Sequence, residues 1–485
     1  MGFLDAAHWQ SNIFLKGWRP GSAGDAPVVE PATGKELART GRASVADVAE
    51  AAAVAAAAQR AWAALPFTQR STVMRRAGQL LVDHAEEFNE WIMRETGGIA
   101  PKAQLETHVA SEECFEAAAL ASHPTGDILR SEMPRLSFSR RVPAGVVGVI
   151  APFNVPLILS IRSVAPALAL GNAVILKPDP RTAVSGGVLL ARVFEEAGVP
   201  EGVFSVLPGG GDVGEALVIE PRVRVIAFTG STQVGRSVGA LAAQHLKRAH
   251  LELGGNSALI VLHDVDLQKA ASVGAFGSFL HQGQICMTTG RHLVDARIAE
   301  DYAAILAEKA NHLPVGDPMS GTVAMGPLID AKQRDKVHRM VTETVDAGAT
   351  LAAGGTYEDL FYRPTVLTNV SVKASAYCEE VFGPVAPIVP FHSLDEAVAL
   401  ASDSPYGLSL GILSSDGLRA LELAERIPTG AIHINDQTVH DEAVIPFGGV
   451  GHSGNGSRMG GMANLEAYTE TQWVTAQADM PDYPF

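Results

Sequence analysis

Between Val146 and Phe228 the chain alternates short, wholly apolar runs with helix-like stretches: VVGVI, AVIL, VFSVL and VRVIAF are separated by segments with helical periodicity. A strand with one wet face alternates apolar with polar residues, so runs without alternation mark strands buried on both faces. Helices must then cover both faces, which means a parallel sheet with crossover helices and an α/β fold. Ligands bind such sheets at the carboxyl ends of the strands. That singles out the loops PFNVP, KPDPRT, PGGGDVG and FTGSTQVG. Gly209, Gly211 and Gly214 follow a strand at GxGxxG spacing, and GSTQVG from Gly230 places Ser231 at a helix start. Free amides there suit a pyrophosphate, although glycine-rich turns are common enough that either pattern alone also fits a plain turn.

Val142–Ile161 holds 20 residues without a charge, between Arg141 and Arg162. Pro143, Pro152 and Pro156, with Gly145 and Gly148, would break a membrane helix, so the run reads as strand, loop and helix start. Residues before about 40 form a lead-in with turns and short strands, and two or three long helices follow from Ser44 to about Ser122, Ser44 and Asp47 resembling a capping signal. A helix is expected near Thr182–Ala197. RLSFSRRV alternates like a half-exposed strand whose edge is free to pair with another subunit. A second α/β half begins near Ser257, with strands at HLVD, APIVPF, LSLGI and AIHIN, and a final strand falls in AYTETQWVTAQ.

A net charge of −16 argues against nucleic acid or an anionic membrane as the main partner. Three cysteines make no disulfide framework and the N-terminus has no basic-then-apolar leader, which points to the cytoplasm. No metal-ligand spacing stands out.

Of those cysteines, Cys286 lies in FLHQGQICMTTGR, a charge-poor stretch with Gly283 and Gly290 beside it. A free cysteine most often just packs. Here Gln284, Thr288 and Thr289 argue for a pocket wall instead, whereas Cys114 sits in a helical pattern and Cys378 beside Glu379 and Glu380, whose charge raises a thiol pKa.

Taken together, LELGGN (251–256), GQIC (283–286), EEVFGP (379–384) and PFGG (446–449), in order with PFNVP, ILKP and FTGST, resemble the aldehyde dehydrogenase superfamily over nearly the whole chain. The resemblance implies an aldehyde dehydrogenase-like α/β fold: a Rossmann-like dinucleotide domain of residues 1–120 and 142–253, a catalytic domain of 254–454, and oligomerisation strands in 121–141 and 455–485, giving a homodimer or homotetramer. It implies that Cys286, as thiolate, adds to an aldehyde, that hydride passes to a nicotinamide, and that the resulting thioester is hydrolysed with Glu252 as base. The oxyanion is then held by the side-chain amide of Asn154 and the backbone N–H of Cys286. By its residues alone, Asn154 is an ordinary turn residue and Glu252 equally a base or a structural ion-pair partner. An apolar, glycine-bounded setting raises the pKa of Glu252 in either case.

For the cofactor, the resemblance implies contacts from Ile150, Pro152, Lys177, Asp179, Gly209, Gly214, Phe228, Gly230, Ser231, Val234, Leu253, Glu380 and Phe382. Many NAD-preferring relatives carry a glutamate where this chain has Pro180, with Asp179 a substitute carboxylate; NAD is expected and NADP permitted. The small-molecule substrate is expected to be an aldehyde, and KPDPRTAVSGG with NVPLILSIRSVAPALALGNAV most resembles the aromatic branch of benzaldehyde, vanillin and salicylaldehyde dehydrogenases. Phe153, Ile285, Met287 and Phe447 are the expected apolar walls. Arg162 is either a substrate contact or a helix-surface charge. The alternatives are a CoA-acylating or aliphatic (semi)aldehyde dehydrogenase, which keeps the chemistry but changes acceptor or substrate, and a non-catalytic member of the same scaffold.

Overall fold

A computed structural model describes residues 2–485. The Val146–Ile150 strand shows how the sequence builds the first sheet. With side chains alternating across the sheet, Val147 and Val149 join the core beneath the helix Pro156–Ala169, while Val146 and Ile150 join the core beneath the helix Val45–Ala64. Ala173–Lys177 divides in the same way, Val174 and Leu176 from Ala173 and Ile175.

The first sheet runs in the order 248–252, 223–229, 146–150, 173–177, 204–206, 12–14, 18–20. The first five strands are parallel. The two lead-in strands add on antiparallel. Strand order therefore reverses at Val146–Ile150, and the crevice beyond its carboxyl end is the place such a sheet offers a ligand. A second seven-stranded sheet runs 350–353, 365–368, 385–391, 289–295, 257–261, 409–413, 431–434. It is parallel except at the 350–353 edge and carries a core on each face.

Four helices, not two or three, fill 45–120: Val45–Ala64, Phe67–Asp83, Ala85–Thr96 and Ala100–Leu120. Ser44 and Asp47 form the full capping box. Gly97, in the left-handed region at φ 68°, ends the third helix. The expected Thr182–Ala197 helix is broken into a 3₁₀ turn at Pro180–Thr182, a π turn at Val184–Val188 and an α-helix at Leu189–Ala197. The break has a cause in the buried Glu95, whose carboxylate accepts from the backbone N–H groups of Val184 and Ser185 and so holds that turn open. Among the described residues, no helix is long and apolar enough to cross a membrane.

One edge is reassigned. Leu136–Pro143 pairs in full register with the chain's own Thr469–Ala476, and its other side receives residues 125–129 through Leu129 N to Ser137 O, Ser139 N to Asp127 O and Arg141 N to Thr125 O. Both of its edges are used within the chain, so the open edge of this ribbon belongs to Thr469–Ala476.

Candidate active site

Three hollows connect in series, two of them meeting at Cys286. The first, a cleft of about 660 Å³ at the strand-order reversal, is lined by Ile150, Pro152, Lys177, Asp179, Gly214, Phe228, Gly230, Ser231 and Val234, as expected for the cofactor, and also by Arg181, Gly211 and Phe153, which is expected as a substrate wall but lies outside the Cys286 cavity. Two helix N-termini open on it. Ser231 caps Thr232–Gln244 through the Val234 amide, and Gly211–Ile219 begins without any side-chain cap. Unsatisfied amides at a helix start, with the nearly buried Lys177 beside them, suit a bound anion. Gly209 departs from expectation. It does not line the cleft, because the place of its missing Cβ lies 2.5 Å from the Val213 side chain, so this glycine serves helix packing and Gly211 stands in its place.

Asp179 also differs from its expected role. Arg181 chelates both of its oxygens at 2.9 Å, reaches across to Asp330 at 2.7 Å, and lies 4.2 Å from the Phe153 ring centre. Asp179 therefore presents a neutralised pair to the cleft. Pro180, one residue on, is exposed and lies outside the lining.

The second hollow, about 440 Å³, is walled by Ile285, Met287, Phe447, Ile158, Leu159 and Val155 and contains Cys286, Asn154 and Arg162. The third, about 160 Å³, joins the other two: it shares Phe153 and Ser231 with the cleft and Cys286 and Asn154 with the cavity, and adds Leu253, Glu380 and Phe382. Phe382 has φ 56°, rare for a bulky residue, and is held there by Gln333 Nε2 donating to its carbonyl at 2.7 Å. Its ring meets Phe153 edge to face at 5.8 Å. Glu380 accepts from the Gly255 amide at 2.9 Å and lies 2.4 Å from where a Cβ on Gly254 would stand, so these glycines are required for the carboxylate to approach.

The loop carrying Cys286 is pinned from below. His281, Gln282 and Gly283 are all left-handed, at φ 49°, 58° and 66°. The Gln282 amide donates to the carbonyls of Gly97 and Pro327, tying the loop to the helical region and to the second half at once. Gln284 accepts from the Ile329 amide through its side chain, and its own carbonyl receives Asn154 Nδ2 at 2.8 Å. This last bond fixes the Asn154 amide beside the cysteine and leaves one N–H free.

Electrostatics sets the resting protonation. Burial, with Glu380 and Glu252 nearby, pushes the Cys286 thiol up to about 12, so the resting group is a thiol. Burial also pushes Glu252 up to about 8, as its apolar surroundings predict, against the pull of Arg162 and Arg458. Neither Glu252 oxygen has a hydrogen-bond partner, which excludes a structural ion pair as its role. Arg162 is not a surface charge. It is 1% exposed, pairs with Asp441 at 2.7 Å and lies 4.7 Å from the Phe447 ring centre.

Sequence reasoning missed Arg181, Gln333 and Asp441, and it named Gln284 only as a pocket wall. Asp330, Phe382 and Arg162, the distant partners of the first three, lie 149, 49 and 279 positions away.

These features define a class: an α/β protein with a dinucleotide-type cleft opening, through a narrow joint, on an apolar cavity with a cysteine at its inner end. The aldehyde dehydrogenase family model matches residues 18–474, and the chain belongs to that family. It is 65% identical to a vanillin dehydrogenase of Amycolatopsis sp., with all of both chains covered. It is 48% identical to a benzaldehyde dehydrogenase [NAD(+)] of Pseudomonas putida, over 98% of each. A crystal structure of a salicylaldehyde dehydrogenase from Pseudomonas putida G7, complexed with salicylaldehyde, superposes with a TM-score of 0.94 at 33% identity, covering 99% of this chain and 100% of that one.

Proposed function

We propose that the protein oxidises an aromatic aldehyde to its carboxylic acid, with NAD as cofactor. The observation that carries this reading is the apolar 440 Å³ cavity with Cys286 and Asn154 where it meets the joint to the dinucleotide cleft. Its volume and walls suit one substituted ring. The vanillin, benzaldehyde and salicylaldehyde names of the relatives point the same way.

The residues fit a dinucleotide: two helix N-termini and Lys177 for phosphates and ribose, Phe153, Glu380 and Phe382 at the joint for the nicotinamide end. When bound, NAD supplies the hydride acceptor. On the chain's side, Cys286 Sγ gives its proton to water and bonds to the aldehyde carbon. The charge that develops on the oxygen is met by the spare Asn154 N–H and the Cys286 backbone N–H, each such donor contributing about 3 kcal/mol to the transition state. After oxidation the group on Sγ is a thioester. A water attacks its carbonyl carbon, Glu252 takes the water's proton, and the C–S bond breaks to release the acid. Glu252 favours water over CoA as the acceptor, because thiol exchange needs no such base.

The Arg181-neutralised Asp179 leaves NADP admissible. We assign residues 1–120 and 142–253 to cofactor binding, 254–454 to catalysis, and the ribbon of 121–141 with 455–485 to a homodimer or homotetramer. Three free cysteines agree with work in the cytoplasm. The test is reduction of NAD and NADP measured over a panel of aromatic and aliphatic aldehydes, with acid distinguished from acyl-CoA among the products. Preference for a short aliphatic aldehyde would overturn the substrate assignment.

A further inference from the structure

The cavity that holds Cys286 is apolar but for a few polar side chains, and most of these are already spent. Lys102 pairs with Glu106, whose other oxygen accepts from the Leu157 amide. Gln437 donates to the Val439 carbonyl and accepts from the Val439 amide. Asn154 donates to Gln284, and His440 meets Glu442. Among the described residues lining this cavity, the buried side-chain nitrogens and oxygens left without a partner are Arg162 Nε and Asp441 Oδ1. They belong to one ion pair, joined through Arg162 Nη2 and Asp441 Oδ2 at 2.7 Å.

Burying an ion pair is expensive unless its remaining protons and lone pairs are satisfied. Beyond that contact and a backbone hydrogen bond from Glu442 to the Asp441 carboxylate, the pair keeps both donor and acceptor capacity. A phenolic hydroxyl carries one donor and acceptor lone pairs, so a single group can answer both. A methoxy group offers an acceptor only, and an unsubstituted ring offers neither. The alternative use of Arg162, stacking on the substrate's ring, is limited because Phe447 already lies near its guanidinium at 4.7 Å. Glu113, buried and pushed up to about 8 by its burial against the pull of the Arg162 charge, adds no solvent-facing charge.

We propose that Asp441 and Arg162 form a hydroxyl-recognition subsite, the Asp441 carboxylate accepting from and the Arg162 guanidinium donating to a ring hydroxyl, so that the enzyme selects hydroxylated aromatic aldehydes over unsubstituted ones. The proposal rests on the aromatic-aldehyde reading above and adds which member of that class is preferred. Asp441 is a specificity residue here: it meets the ring hydroxyl and not the aldehyde carbon.

The test is the ratio of kcat/KM for 4-hydroxybenzaldehyde or 3-hydroxybenzaldehyde to that for benzaldehyde, with 4-methoxybenzaldehyde as the acceptor-only control. The wild type is expected to favour at least one hydroxylated isomer by roughly 10- to 100-fold, the range of one charge-assisted hydrogen bond, with the methoxy compound in between. Asp441→Ala should reduce that ratio at least tenfold. Since that variant leaves Arg162 buried and unpaired, the paired variant Arg162→Met with Asp441→Leu is measured beside it and should show the same collapse. Competitive inhibition of the wild type by 4-hydroxybenzamide and 3-hydroxybenzamide against benzamide gives a reading that needs no variant, and should favour a hydroxylated amide by a similar factor. Benzaldehyde oxidised as well as every hydroxylated ring, or equal losses for all substrates in both variants, overturns this subsite alone. Failure to oxidise any aromatic aldehyde while aliphatic ones react overturns the parent reading.

Discussion

At the scale of single residues, the site pairs a thiol near 12 with a carboxyl near 8, and both values follow from burial. Cys286→Ala should abolish aldehyde oxidation while dinucleotide affinity, measured by fluorescence titration, stays within a few-fold of wild type, because the thiol supplies the covalent bond and not the cleft. Activity within tenfold of wild type would remove the assignment. Glu252→Gln should leave a burst of reduced nicotinamide followed by turnover at least 100-fold slower, since an amide keeps the packing but takes no proton. Its sign with pH is fixed. The folded pKa of Glu252 is raised from 4.5 to about 8, so the native state holds this proton more tightly than the unfolded chain does. The stability so gained is full below the unfolded value and is lost as pH rises through about 8. Gln cannot lose that proton. Relative to wild type, Glu252→Gln should therefore gain about 2 kcal/mol in denaturant stability between pH 5 and pH 9, a discounted share of the ~1.4 kcal/mol per pKa unit. A flat difference across that range would mean that Glu252 ionises normally in the fold.

At the scale of elements, two short segments set the geometry, and their consequences are separable. In the cysteine loop, a Cβ on Gly283 would stand 2.2 Å from the Gly383 carbonyl oxygen, at a φ of 66° that side chains rarely adopt. Gly283→Ala should cost about 2–4 kcal/mol of stability by thermal or urea unfolding and lower kcat more than any cofactor constant, because the loop it distorts carries Cys286 and the carbonyl that holds Asn154. In the turn after Lys177, Arg181 masks the charge of Asp179. Arg181→Ala should lower kcat/KM with NADP about tenfold more than with NAD, by baring a carboxylate to the 2′-phosphate; an unchanged ratio would show that this turn does not face it. These two segments also show how far the sequence could be read. Apolar runs without alternation, separated by helical stretches, announce a parallel sheet and its carboxyl-end loops, since crossover helices hide both faces of its strands. The three left-handed residues before Gln284 and the reach of Arg181 to Asp330 were not legible, because the partners of Gln282 lie 185 and 45 positions away and Asp330 lies 149 positions from Arg181. The π turn at Val184–Val188 was hidden for the same reason, its cause being a glutamate 90 positions earlier.

At the scale of the molecule, the ribbon formed by Leu136–Pro143 and Thr469–Ala476 is the part of the chain least explained by its own packing. The first strand has both edges filled from within the chain, by Thr469–Ala476 and by residues 125–129, but the second has an open edge. Around it stand Trp473, 67% exposed, Ile128, 81% exposed, and the half-exposed Leu136 and Met133. An open strand edge flanked by large apolar side chains is a surface that a monomer in water would blunt with charge or proline, and here only Glu470 and Arg135, which lies 5.6 Å from the Trp473 ring centre, do so. We therefore assign the edge to pairing with a second copy, which would hide the row of unpaired backbone groups and the tryptophan together. Because the same C-terminal stretch returns through Ala463–Tyr468, whose Tyr468 carbonyl accepts from Asn172 and Ala144 beneath the first sheet, loosening the ribbon should reach the cofactor half before it reaches the cysteine. Trp473→Glu should accordingly shift the sedimenting species from dimer or tetramer to monomer and lower the midpoint of thermal unfolding by several degrees, with a larger rise in the apparent Kd for NAD than in the rate of Cys286 alkylation. A variant that sediments as the wild type does, or a wild type that is itself monomeric at micromolar concentration, would return this edge to the surface.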